Sequence, residues 1–215
     1  MADKNDSKIL ALNYLKNQII TCALPPGSTI QIGQIAQQLG ISKTPVREAL
    51  LELQHENYIT VIPRKRTIVS KISLQDLKDV YDARTLIEIN IISNISSKDI
   101  NANMDTLIML KKQWEVLDIH DQTKEAYMEF LRADLQFHQA IIQLHSNPYL
   151  IRYCEELIYK SQRFWYMALF NNKTDTVREE HLAILDKLIA GEAGAAATIC
   201  QKHISVSKAL SILSE

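Results

Sequence analysis

The sequence predicts a mostly α protein in two parts, a turn-rich amino-terminal segment over residues 1–72 and an all-helical remainder over residues 73–215. Three observations carry this. Three of the five glycines and four of the five prolines fall before residue 64, and only Pro148, Gly191 and Gly194 interrupt the rest of the chain, which leaves long stretches without a helix breaker. The charge divides at the same place: residues 1–72 hold 9 Lys/Arg against 5 Asp/Glu, whereas residues 73–215 hold 15 against 20. Apolar residues recur at spacings of three and four through most of the chain, which is the period of a helix with one buried face.

Composition excludes several classes at once. At 215 residues and 47% hydrophobic, the chain can bury a core of one large domain or two small ones, and disorder is not expected. No apolar run approaches the roughly 20 residues of a membrane span. Met1 to Asn5 shows no basic stretch leading into an apolar one, so no secretion is expected. Cys22, Cys154 and Cys200 are odd in number and far apart, which argues against a disulfide framework or a thiolate zinc site and for the reducing cytoplasm.

Leu12, Leu15, Ile19 and Cys22 form the stripe of a first helix that ends before Pro25-Pro26-Gly27. Ile32, Ile35, Ala36 and Leu39 do the same for a second, which stops at Gly40. Ser42 or Thr44 can then cap a third helix, whose first turn tolerates Pro45 because the N–H groups there lack intrahelical partners. Val46, Ala49, Leu50 and Leu53 point inward, leaving Lys43, Thr44, Arg47 and Glu48 on the opposite face, where a recognition helix meets a major groove. Tyr58–Ile62 and Thr67–Val69 are β-branched runs joined by Pro63-Arg64-Lys65-Arg66. Cations at Arg64, Lys65 and Arg66 suit a β-hairpin wing lying along phosphates or entering a minor groove. On pattern alone, a DNA-binding winged helix-turn-helix and an ordinary solvated surface stand level.

Beyond residue 72 the segments 73–95, 101–118, 123–145, 148–171, 174–190 and 192–213 read as a bundle of about six helices. The first carries Leu77, Val80, Tyr81, Arg84, Leu86, Ile87 and Ile91, enough to be buried on more than one side. Asp134 and His138 lie four apart on one helix face; His181 and His203 sit on later helices beside apolar neighbours. One aspartate and three histidines would suit a divalent ion such as zinc, nickel or manganese with coordination positions left open. The competing reading is that histidines among apolar neighbours are simply core residues.

The stretch Pro25-Pro26-Gly27-Ser28, followed by GISKTPVREALLELQHENYI from Gly40 to Ile59, resembles the amino-terminal winged helix of the GntR family of bacterial transcription regulators. The resemblance implies that Ser42, Lys43, Thr44 and Arg47 contact operator phosphates and bases. Two departures stand out. The family's wing usually carries a glycine near its tip and this one has none, and Leu51 and Gly33 occupy positions often polar or charged.

RADLQFHQAI, EEHLAIL and GAAATICQKHI, with ARTLIE at Ala83 to Glu88, resemble the FCD effector-binding domain of the FadR subfamily. This resemblance implies a metal site of Asp134, His138, His181 and His203, with zinc the first choice and nickel or manganese the alternatives. It also implies that Arg84 faces an effector cavity and pairs with a carboxylate, although a surface bridge to Glu88 four residues on fits the spacing equally. Arg163 is a second effector-binding candidate. The expected protein is a homodimeric repressor of a palindromic operator, controlled by a small organic acid, and not an enzyme. The alternatives are a regulator that senses the metal itself, or a small metallohydrolase. No His-Glu-x-x-His spacing supports the last, though Glu180 adjoins His181.

Overall fold

The computed structural model describes residues 4–63, 65–118, 123–168 and 174–205. It divides into two compact units, Met1–Ser73 and Leu74–Glu215.

In the first unit, helix α1 (Lys4–Ile20) packs on α3 (Lys43–His55), with α2 (Ile32–Gln38) beside α3. The buried stripe of α1 runs through Ala11, Leu15 and Ile19. It therefore differs from the expected one: Leu12 is only half-buried, and Cys22 lies past the helix end with a φ of 54°. The physical reason is that strict four-residue steps keep 11, 15 and 19 on one line, while the helix stops at Ile20. Lys8 Nζ to Glu52 Oε1 at 2.5 Å and Lys16 Nζ to Glu56 Oε2 at 2.8 Å tie α1 to the far flank of α3.

Ser42 takes the N-cap position of α3 with extended backbone, so Thr44 lies inside the first turn and does not cap. Pro45 falls third in the helix, still among the residues whose N–H has no intrahelical acceptor. Asn57, at φ 63°, reverses the chain into strand β1 (Ile59–Ile62), which pairs antiparallel with β2 (Arg66–Val69) in the register Ile59↔Val69 to Ile62↔Arg66. Arg66 thus belongs to a strand and not to the connecting turn, and Tyr58 precedes the first strand. The extended segment after Gly27 braces the hairpin from its outer side, with Ile30 N–H donating to Thr67 O and Val69 N–H to Ser28 O, both at 2.9 Å.

The second unit contains seven helices among its described residues where about six were expected: α4 (Leu74–Ser93), α5 (Ser97–Ala102), α6 (Met104–Val116), α7 (Lys124–Ile142), α8 (Pro148–Ala168), α9 (Thr174–Ile189) and α10 (Ala193–His203). The extra one arises because Ser96 caps α5 by accepting from Asp99 N–H at 3.1 Å, and Asn103 then restarts the chain as α6. The expected helix ends at 169–171 and 206–213 lie outside the described residues. Helix α4 packs against α7, α8 and α10, burying Leu77, Tyr81, Arg84, Glu88 and Ile91 at alternating steps of four and three. Leu86 is the exception to the sequence reading: it is 75% exposed, because it falls on the side of α4 away from that stripe. Ile91, Ile142, Cys154 and Ile158 form a buried apolar cluster where α4, α7 and α8 meet. Among the described residues no helix is long and apolar enough to cross a membrane.

Candidate nucleic-acid interface and metal centre

In the first unit, Ser42, Lys43, Thr44 and Arg47 are all exposed, while Pro45, Val46, Ala49, Leu50 and Leu53 are buried on the opposite side of α3. The core therefore dictates which face of the helix meets solvent. Gly40, at φ 65°, makes the turn between α2 and α3, a conformation that costs an L-residue strain. A Cβ at Gly33 would meet only Lys43 Cε at 3.7 Å, so no crowding demands glycine there. Lys65 in the hairpin turn and Arg66 at the start of β2 are exposed; Arg64 lies outside the described residues.

In the second unit, helices α7, α9 and α10 bring four side chains together. His138 Nε2 and His181 Nε2 lie 3.1 and 3.0 Å from His203 Nε2. Asp134 Oδ1 lies 3.8 Å from His138 Nε2 and 3.5 Å from His181 Nε2. All four donor atoms fall within 4.8 Å of one another. Two nitrogens bound to one divalent ion at about 2.0–2.1 Å each are separated by about 3–3.4 Å, so the spacing fits. The donor chemistry fits as well, as the other ring nitrogens show. His138 Nδ1 lies 2.5 Å from Glu88 Oε1 and His203 Nδ1 lies 2.9 Å from Glu180 Oε2. A carboxylate accepts, so in the neutral rings the proton sits on Nδ1, and each Nε2 turns a lone pair toward the others. Lone pairs 3 Å apart repel unless a cation stands among them. Carboxylate–histidine pairs of this kind fix ring orientation around metals.

Packing holds the set in place. His181 stacks on Phe137 with ring centroids 3.8 Å apart and meets Trp114 edge-on at 4.2 Å. Gln162 Nε2 donates to Asp134 Oδ2 at 2.5 Å, leaving Oδ1 facing the histidines. Burial pushes the His203 ring toward its neutral form, against the pull of Glu180.

Arg84 makes the expected bridge to Glu88, but inside the unit. It is buried, not on the helix surface: its Nε donates to Glu88 Oε2 at 2.7 Å and its Nη1 to Ser161 Oγ at 2.8 Å. Its Nη2 has no hydrogen-bond partner among the described residues. Burial alone would raise the Glu88 carboxyl, but the Arg84 guanidinium and the His138 ring outweigh it and hold Glu88 well below the usual carboxylate range. Arg84 lines a cavity of about 30 Å³ together with Asp134, His138, His203, Tyr81 and Trp165. Arg163 is buried on α8 but does not line this cavity.

Sequence patterning gives no sign that Gln162 and Ser161 belong to the site, pairs Glu88 with Arg84 but not with His138, and suggests the wrong role for Glu180. Rather than standing free as a base beside His181, Glu180 orients His203 on the next helix. Only the ARTLIE segment, which contains Glu88, holds a signal that points to one of them.

The pattern of the FCD domain matches residues 79–206, and that of the bacterial regulatory proteins of the gntR family matches residues 11–69. Among similar proteins, the HTH-type transcriptional repressor GlaR of Escherichia coli is 22% identical over 196 residues, 89% of each chain. The uncharacterised HTH-type transcriptional regulator YdhC of Bacillus subtilis is 24% identical over 181 residues, 82% of this chain and 78% of its own. The solved structure of E. coli McbR/YncC superposes with a TM-score of 0.75 at 23% identity, covering 95% of this chain and 96% of that one. A putative GntR transcriptional regulator from Rhodococcus sp. RHA1 gives 0.77 at 18%, covering 96% and 97%. These domains belong to regulators and not to enzymes, which sets aside the hydrolase alternative. With a GntR-type winged helix-turn-helix at its amino end and an FCD domain over more than half its length, the chain belongs to the GntR family of DNA-binding bacterial transcription regulators.

Proposed function

We propose that the protein is a homodimeric repressor of the FadR subfamily, acting in the cytoplasm, whose hold on a palindromic operator is set by a small carboxylate bound at a divalent metal site in the FCD unit. The observation that carries this reading is the convergence of Asp134, His138, His181 and His203 beside an arginine Nη2 that lacks a partner among the described residues. Those four side chains would hold the ion, with zinc the first choice for three imidazoles and one carboxylate. When bound, the ion supplies positive charge for a ligand carboxylate. Arg84 adds a directed donor, kept charged by Glu88. A cavity of about 30 Å³ restricts the ligand to a few heavy atoms unless its walls move. The ligand must bind one dimer arrangement better than another, since equal affinity shifts nothing; a coupling of about 1–3 kcal/mol suffices.

Ser42, Lys43, Thr44 and Arg47 would meet the major groove, and the wing with Arg64, Lys65 and Arg66 the backbone or minor groove. Arg47→Ala should weaken specific operator binding by about 1–3 kcal/mol if the arginine reads a base, measured by gel shift against a selected operator. Lys65→Ala should lower affinity for all sequences and reduce the salt slope by about one; a change of sequence preference instead would remove Lys65 from backbone contact.

The same small cavity favours a second reading, in which the ion itself is the signal. Operator affinity measured with metal, with chelator, and with metal plus a panel of small carboxylates separates the two: a response to chelation alone supports sensing of the ion, and a further response to one acid supports the carboxylate.

A further inference from the structure

We infer that Leu51 is a base-reading residue, its side chain packing against the 5-methyl group of thymine in the operator's major groove. The inference rests on the reading that α3 enters that groove. At 100° per residue, Leu51 lies about 20° from Thr44 and about 40° from Arg47 around the helix, and about 6 Å further along it than Arg47. It therefore stands in the middle of the exposed face, on the far side of the helix from the core residue Leu53. Leu51 is 65% exposed, whereas Val46, Leu50 and Leu53 on the same helix are 0%, 5% and 0% exposed. A leucine so placed is not part of the core. Its neighbours on the face, Thr44 and Arg47, can donate hydrogen bonds to base edges or phosphates; Leu51 can donate none. The thymine methyl is the base-edge feature in the major groove complementary to an aliphatic side chain. The ion pairs of Glu52 with Lys8 and Glu56 with Lys16 engage α1 and leave Leu51 itself uncovered. Isolated surface leucines are also common without any role, and the experiment separates the two cases.

An operator is first selected from randomised duplexes with the full chain, and each of its thymines is then replaced by uracil, which pairs identically but lacks the methyl. At one position in each half-site, uracil should weaken binding of the unaltered protein about fourfold, the value of burying one methyl-sized group. Leu51→Ala should bind the thymine and uracil duplexes equally while keeping its affinity for unrelated DNA. The assignment is overturned if no uracil costs more than about twofold, or if Leu51→Ala keeps the same thymine preference at every position. Arg47→Ala, measured alongside, tells the two failures apart. Loss of operator binding in that variant, with no uracil effect, removes Leu51 alone; unchanged binding both there and in Lys43→Ala/Thr44→Ala overturns the groove placement of α3 and the inference with it.

Discussion

Glu88→Gln is expected to destabilise the helical unit by about 3–5 kcal/mol, the cost of removing one partner from a buried ion pair. Glu88 is fully buried and holds both Arg84 Nε at 2.7 Å and His138 Nδ1 at 2.5 Å. A glutamine of nearly the same shape keeps one acceptor oxygen but leaves the Arg84 charge uncompensated away from water. The measurement is chemical unfolding followed by tryptophan fluorescence, which reports on this unit alone because both tryptophans, Trp114 and Trp165, lie in it. Arg84→Met/Glu88→Met should recover a large part of the loss, since no unpaired charge then remains. A loss below about 1 kcal/mol in Glu88→Gln would mean that water reaches Arg84 and that the pair does not organise the site.

Zinc at about 100 times its dissociation constant should stabilise the same unit by about 2.7 kcal/mol, if the ion binds only the folded chain. His181→Ala should abolish this increment. The comparison is made on the zinc-dependent change within each variant and not on absolute stability. The reason is that His181 also packs between Phe137 and Trp114, so its truncation costs packing whether or not it binds metal. Elemental analysis gives an independent readout: stoichiometric zinc retained by His181→Ala would overturn the assignment of this residue as a ligand.

The first unit is the more legible part of the molecule. Its elements are legible from near neighbours in sequence: the three-to-four spacing of Val46, Ala49, Leu50 and Leu53, the serine at the cap, the β-branched runs on either side of a basic turn. Where pattern and structure part, at Leu12 in α1, at Cys22 just past its end or at Arg66 in β2, the difference is one of register or boundary, because a stripe drawn at steps of three or four residues admits two neighbouring lines and does not mark where an element stops. In the second unit the same periodicity locates the long helices. It misses the division into α5 and α6, since a six-residue helix has too few turns to show a period and Ser96 reads as a breaker until its hydroxyl is seen accepting from Asp99 N–H.

Local patterning by itself determined where the long helices lie, which face of α3 is wet, and that Asp134 and His138 share a side of one helix. It did not determine that α9 and α10 carry His181 and His203 to the same point; that expectation came from resemblance. Nor could it reveal Glu88 on His138, 50 residues apart in sequence, Glu180 on His203, 23 apart, or Gln162 on Asp134, 28 apart. Periodicity records only which way a side chain points from its own helix axis. Its contacts depend on how the helices cross, and that is decided by the packing of the whole core, in which no single segment carries the information.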